Sequence, residues 1–318
     1  MKYCKYLKSK YLYFFCFHFL LLISPGLYAQ TFGLELKIKN QSPDQVILGS
    51  LKGDDFMRID SVSVTGPDAT VKFQFPENSH SGVYRIILGY TAYAKMMKEA
   101  PQQFDFIFDN ENLVFETDFK EPVDKLKIIT SKENIAWYTF RNKDKGLMEK
   151  LSEVENKLNE CWEKKDTSRL DDLANQYNQL QMERDMFVQK SSQDSRGLFV
   201  SQVIKNQRLP LLDGYLTEEE RLKSYKNDFF KVLDFSNPGL IHSQVYTDNI
   251  FSYLIKYNSL LMTQKQRETE YTKAVDTIMA NIKQNPEVQK FITSYLLHGF
   301  EVLQMTNLVN YINRKYVL

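Results

Sequence analysis

Phe104-Asp105-Phe106-Ile107-Phe108, then Asp109-Asn110-Glu111-Asn112, then Leu113-Val114-Phe115-Glu116-Thr117: this stretch decides the fold class of the first third of the chain. Apolar side chains alternate with polar ones on both sides of a turn-forming tetrad, and a period of two is the signature of strands with one buried face. The same pattern recurs upstream in Val46-Ile47-Leu48, Ile59-Asp60-Ser61-Val62-Ser63-Val64, Val71-Lys72-Phe73-Gln74-Phe75 and Tyr84-Arg85-Ile86-Ile87-Leu88. Between these runs, Gly53-Asp54-Asp55, Gly66-Pro67-Asp68 and Pro76-Glu77-Asn78 supply positive φ, fixed φ or local side-chain bonds, as turns require. Residues 31–39 add a first strand through Phe32, Leu34, Leu36 and Ile38, and Leu126-Lys127-Ile128-Ile129 a last one. Residues 91–103, with Met96-Met97 and Pro101, read as a loop holding a short helix. An antiparallel β-sandwich-like domain over residues 30–130 is the expectation.

At Ser131-Lys132-Glu133-Asn134 the hydrophobic period changes, and these residues look like a helix start. Leu147, Leu151, Val154, Leu158 and Cys161 follow at spacings of four and three, which places them on one helix face. After the polar turn Asp166-Thr167-Ser168, a second face is marked by Leu170, Leu173, Tyr177, Leu180 and Phe187, with Arg184 interrupting it. Two such helices joined by a short turn make an antiparallel hairpin, here over residues 132–190. Thr217-Glu218-Glu219-Glu220 matches a capping box. It opens a helix expected over 218–233 and stopped at Asn237-Pro238-Gly239. Further helices are expected over 241–261 and 265–284, and Asn285-Pro286 caps the next. The fold class is therefore α+β, with an all-α domain over residues 131–318 after the β domain.

The first 29 residues stand apart. Lys2, Lys5, Lys8 and Lys10 precede an apolar run from Tyr11 to Ile23, and Leu27-Tyr28-Ala29 forms a cleavage-like site. This order is that of a secretory signal peptide cut between Ala29 and Gln30. The apolar run falls short of the roughly 20 residues a membrane-spanning helix needs, and Pro25-Gly26 breaks it. The expectation is a periplasmic or outer-membrane-associated protein with no transmembrane segment after signal removal. Cleavage leaves 37 of the 41 Lys and Arg against 40 Asp and Glu, a balance without the basic footprint of a nucleic-acid binder. Cys4 and Cys16 leave with the signal, so Cys161 is the only mature cysteine. On an apolar helix face it reads as a small hydrophobe.

Neither a nucleophile elbow, a phosphate-cradling glycine loop nor a dinucleotide fingerprint occurs. His80, His242 and His298 are far apart in sequence, without metal-ligand spacing. Asp54-Asp55 and Asp171-Asp172 read as turn and helix-start charges, and Glu218-Glu219-Glu220 suits the positive end of a helix dipole. No catalytic, cofactor-binding or metal-binding residue is expected.

Arg58-Ile59-Asp60-Ser61-Val62-Ser63-Val64, Val71 to Phe75, Gly82-Val83-Tyr84-Arg85-Ile86, Phe104 to Phe108, Ser131 to Asn134 and residues 229–238 together carry a likeness. In them the sequence resembles the N-terminal β domain and helical middle of secreted TlpA/ResA-like thiol:disulfide interchange proteins of Bacteroidetes. The resemblance implies a β-sandwich-like module of unknown function followed by helices, and in the family a thioredoxin fold with a Cys-X-X-Cys pair comes next. No Cys-X-X-Cys occurs in these 318 residues, so the family's active-site cysteines have no position to be carried onto. The function it implies is a non-enzymatic accessory or binding module of the cell envelope, whose partner is an envelope protein, a thioredoxin-like one being the candidate. The alternative is a split or truncated oxidoreductase whose thioredoxin domain lies on another chain.

Overall fold

The computed structural model of the protein describes residues 31–317. The expected signal segment, with its cleavage point at Ala29 and Gln30, lies outside the described residues. The architecture is α+β. Eight strands come first: β1 (Gly33–Lys39), β2 (Asp44–Lys52), β3 (Asp55–Val64), β4 (Ala69–Gln74), β5 (Gly82–Gly89), β6 (Gln102–Phe108), β7 (Leu113–Asp118) and β8 (Lys127–Thr130). They form two four-stranded sheets, ordered β4-β1-β7-β8 and β3-β2-β5-β6. The pairing is antiparallel with one exception, since β1 and β7 run parallel. Alternation reports which face of a strand is buried and carries no information on the direction of its neighbour, so the sequence reading missed this pair.

The inner faces of the two sheets meet in a core that includes Leu36, Val71 and Phe115 from one sheet and Leu48, Ile86 and Phe106 from the other. Aromatic rings dominate it. Phe75 stacks on Phe108 with ring centroids 3.9 Å apart, and Phe106 meets Phe115 edge to face at 5.5 Å. The sheet holding β5 and β6 is covered on its other face too. Leu51, Val83 and Ile107 point away from the sandwich into a second core shared with the helices. Hence β6 ends in three consecutive buried residues, where one-sided alternation predicts an exposed one.

After α1 (Ala92–Met97), the helices are α2 (Lys132–Lys164), α3 (Leu170–Asp194), α4 (Phe199–Lys205), α5 (Glu218–Asp228), α6 (Val245–Leu254), α7 (Gln264–Asn281), α8 (Pro286–Val302) and α9 (Thr306–Tyr316). Helices α2 and α3 form the expected hairpin. Leu151, Val154, Leu158 and Cys161 pack on Leu173, Ala174 and Tyr177 along its seam. The two helices expected at 218–233 and 241–261 are shorter than the pattern suggested. The first ends at Asp228 in a 3-10 turn, Phe229–Lys231, and the second begins only at Val245, after a 3-10 turn over Pro238–His242 and the extended Ser243. Packing sets these breaks: Phe229 stacks on Tyr253 at 5.2 Å and Phe235 on Tyr246 at 5.0 Å, contacts that bring the turns together at the expense of helix length.

The junction of sheets and helices is built from the four residues where the period changes. Ser131 caps α2, its side-chain oxygen accepting from the Asn134 amide at 3.0 Å. Asn134 then acts as a further strand residue. Its side chain accepts from the Ile107 amide at 2.8 Å and donates to the Ile107 carbonyl at 2.7 Å, satisfying the outer edge of β6. Glu133, 2% exposed, accepts from the Phe199 and Val200 amides at 2.8 and 2.7 Å and so caps α4. Tyr138, one turn on, donates to the Asp105 carbonyl at 2.6 Å. Phe32–Phe75 and the chain from Ser79 onward form one compact unit.

Candidate functional site

Cys161 lies at the last turn of α2, buried in the hairpin seam beside Leu158 and Tyr177. Asp171 and Asp172 sit in the first turn of α3, and Glu218, Glu219 and Glu220 in that of α5, where Thr217 and Glu220 complete the capping box. The histidines depart from the sequence picture. His80, before β5, and His242, at the end of a 3-10 turn, stack with ring centroids 4.3 Å apart, while His298 is exposed on α8. Their meeting depends on where the turn at residues 238–242 docks, and no local pattern announces it.

Asp54 does more than turn the chain. It accepts from the Thr247 hydroxyl at 2.7 Å, while Gly53, at φ +57°, donates its amide to the Ile241 carbonyl at 2.9 Å. A Cβ at Gly53 would meet the Phe291 ring and the Thr247 methyl group at 2.7 and 2.8 Å, so only glycine lets this hairpin tip enter the helices. Beside it stands Asp248, in the first turn of α6. Burial first, and then the Asp54 and Asp105 carboxylates, push the Asp248 carboxyl from its ordinary 3.8 up to about 6. Asp105 itself is held by Arg85 through two bonds of 2.6 and 2.8 Å. His242 is shifted the other way: burial, then His80 and Lys52, depress it below its ordinary 6.5.

The two shifts have opposite consequences. A raised carboxyl stabilises the fold fully below its unfolded value of 3.8 and loses that contribution as pH rises through about 6. A depressed histidine contributes above 6.5 and loses its contribution as pH falls through its folded value. Asp248→Asn is therefore expected to raise the melting temperature at about pH 7.5 and to leave it unchanged near pH 3. The gain should stay under about 1 kcal/mol, because much of the side chain remains exposed to screening solvent. A gain of equal size at both pH values would assign the effect to something other than the charge.

A further concavity lies elsewhere, in the helical layer. Between α4 and α5 the chain runs back along α3 as a strap, fastened by side chains of that helix. Gln181 donates to the Leu212 carbonyl at 2.7 Å and accepts from the Leu212 amide at 2.8 Å. Asn178 accepts from the Gly214 amide at 2.8 Å, and Arg184 donates to the Gln207 carbonyl at 2.9 Å. Asp185 holds Arg208 with bonds of 2.7 and 3.2 Å. Gly214 lies so flat on the helix that a Cβ there would stand 2.7 Å from the Ala174 carbonyl oxygen. Arg184, which reads in the sequence as an interruption of an apolar seam, is thus the strap's anchor, with Asp144 of α2 facing it at 2.8 Å.

Hairpin, strap, α5 and α6 enclose a cleft of about 530 Å³. Its walls include Met148, Leu151, Pro210, Leu222 and Ile255, and its polar groups include Glu155, Tyr177, Glu218, Arg221 and Lys256. Arg221 is the unusual member. It is 2% exposed, donates to the Leu216 carbonyl and to the Asn159 side chain, and lies 5.5 Å from the centre of the Tyr177 ring. Its Nε has no hydrogen-bond partner, and no carboxylate forms an ion pair with it among the described residues. Burial, then the Glu155 carboxylate that Tyr177 bonds at 3.3 Å, raises the Tyr177 hydroxyl well above its ordinary value, so it stays a neutral donor. Sequence reading gave no warning of the cleft, because its lining comes from five separate segments. Only the helical positions of Leu151, Tyr177 and Arg184 and the helix-start Glu218 were visible. No helix among the described residues is long and apolar enough to cross a membrane. No protein-family model matches the chain, and no curated protein matches it.

Proposed function

We propose that the protein is a non-enzymatic binding module of the cell envelope, related to the N-terminal region of TlpA-like thiol:disulfide interchange proteins, and that the cleft beneath the strap is its binding site. The observation that carries this reading is the division of labour around the cleft. Gln181, Arg184 and Asp185 fasten the strap, while the walls between them are apolar and open, which is the make-up of a pre-formed small-molecule site. The thiol fits the same reading. Cys161 is buried in the seam near the C-terminal end of its helix, whereas a reactive thiol is partly exposed.

Native mass spectrometry of the protein purified from an envelope fraction tests the reading. Part of the population is expected to carry one small-molecule adduct per chain, and Ser252→Trp, which fills the cleft from α6, should abolish it. Bare-chain mass for both forms would overturn the assignment of the cleft. Dithiothreitol reduction of insulin should run at the same rate with wild type and with Cys161→Ser. Acceleration dependent on Cys161 would overturn the non-enzymatic reading.

A further inference from the structure

We infer that the cleft takes a single-chain amphiphile with an anionic head, the acid group seated against Arg221 and the hydrocarbon lying along the apolar wall towards the mouth. The inference rests on the proposal that the cleft is the binding site, and it names the chemistry of the ligand.

Three observations carry it. The first is the state of Arg221. A guanidinium removed from water is costly unless its donors and its charge are met, and removal of a partner from such a group is strongly destabilising in general. Here the charge is met by a carbonyl, an amide oxygen and a tyrosine ring, and Nε by nothing. A carboxylate or phosphate is the group whose geometry a guanidinium fits best, and Arg221 lines the cleft without a carboxylate partner of its own.

The second is the placing of the other charges. Lys256 is exposed at the lip, with its ammonium 5.4 Å from the centre of the Tyr225 ring. Glu218 is exposed as well, and Asp185 is neutralised by Arg208. Glu155 is half-buried and bonded by the Tyr177 hydroxyl. Charges at the lip are screened by water and salt, whereas a charge in the lining acts through a lower dielectric. Arg221 therefore outweighs its acidic neighbours for a ligand that has entered.

The third is the mouth. Leu211 and Ile255 line the cleft and are nevertheless 53% and 47% exposed. Just past Asn258, which also lines it, Leu260 and Leu261 are 98% and 94% exposed. Exposed apolar side chains in the lining of the cleft, as at Leu211 and Ile255, leave a surface that a hydrocarbon tail would cover.

Dodecanoate, dodecanol and dodecyltrimethylammonium are suitable probes, each titrated by calorimetry below its micelle-forming concentration. Dodecanoate is expected to bind one per chain and at least about tenfold more tightly than either of the others, as a charge-assisted bond to a buried guanidinium implies. Ser252→Trp should remove that binding while leaving the melting temperature in place. Arg221→Met should bring dodecanoate down to the level of dodecanol, and Arg221→Lys should keep a preference for the acid. If Arg221→Met fails to fold, the comparison of the three probes on wild type and on Ser252→Trp still decides. Equal binding of dodecanol and dodecanoate, both lost in Ser252→Trp, would overturn the acid-head inference and leave the cleft as a binding site. Dodecanoate binding that survives Ser252→Trp, or no binding of any probe, would overturn the inference outright.

Discussion

Asn134→Ala is expected to destabilise the protein by about 2–4 kcal/mol, the combined cost of leaving a buried amide and a buried carbonyl without partners. The side chain is fully buried and makes both of its strand-like bonds to Ile107, at 2.8 and 2.7 Å. Once it is gone, water cannot replace it, because Ile107 lies in the core that the sheet shares with the helices. The loss extends beyond the pair: the Asn134 amide group also donates to Ser131 at 2.8 Å, within the cap of α2. Urea unfolding provides the measurement, with the exposed Asn142→Ala on the same helix as a control that should shift stability by no more than about 0.5 kcal/mol. Equal midpoints for the two variants would mean that the edge of β6 is satisfied by something other than Asn134.

Leu158→Ala should cost about 2–5 kcal/mol, the range for a buried leucine whose site cannot collapse. Leu158 is fully buried in the seam of the α2–α3 hairpin and lies outside the lining of the cleft. The variant therefore separates stability from binding. Its melting temperature should fall by several degrees, and its affinity for dodecanoate, measured below the transition, should stay within about twofold of wild type. An unchanged melting temperature would contradict a seam closed within this chain. A lost affinity in a folded variant would show that the hairpin's spacing, and not only the strap and Arg221, shapes the cleft.

Features governed by local chemistry were legible in the sequence. The strands from residue 33 to residue 130 follow alternation that any half-buried strand must show, and the hairpin follows the spacing of Leu147, Leu151, Val154 and Leu158. The caps at Ser131, Thr217 and Asn285 are written in residue types that meet free amides. The Thr263 cap of α7 uses Gln266 in place of an acid and was passed over. What escaped was governed by long-range packing. The double burial of β5 and β6 depends on helices that come later in the chain, for example through Phe140, Ile250 and Ile292 in the core that Val83 and Ile107 enter. The breaks at Phe229 and Ser243 come from rings that pack across the chain. Asp54, read as a turn residue, bonds Thr247, and the stacked His80 and His242 are 162 positions apart in number. Arg184 was a polar residue on an apolar face, and neither its partners nor those of Arg221 could be inferred without the strap's path. Buried polar residues of this kind mark where tertiary structure has overruled pattern.

A ligand seated between hairpin, strap, α5 and α6 should slow exchange in the segments around it. Amide hydrogen exchange on the wild-type protein, with and without saturating dodecanoate, tests it most directly. Protection is expected over residues 207–222 and at the C-terminal end of α6 through Asn258, because these segments line the cleft. The sheets should be unaffected. Exchange that is unchanged over residues 207–222, or protection confined to the sheets, would contradict a ligand site in the cleft.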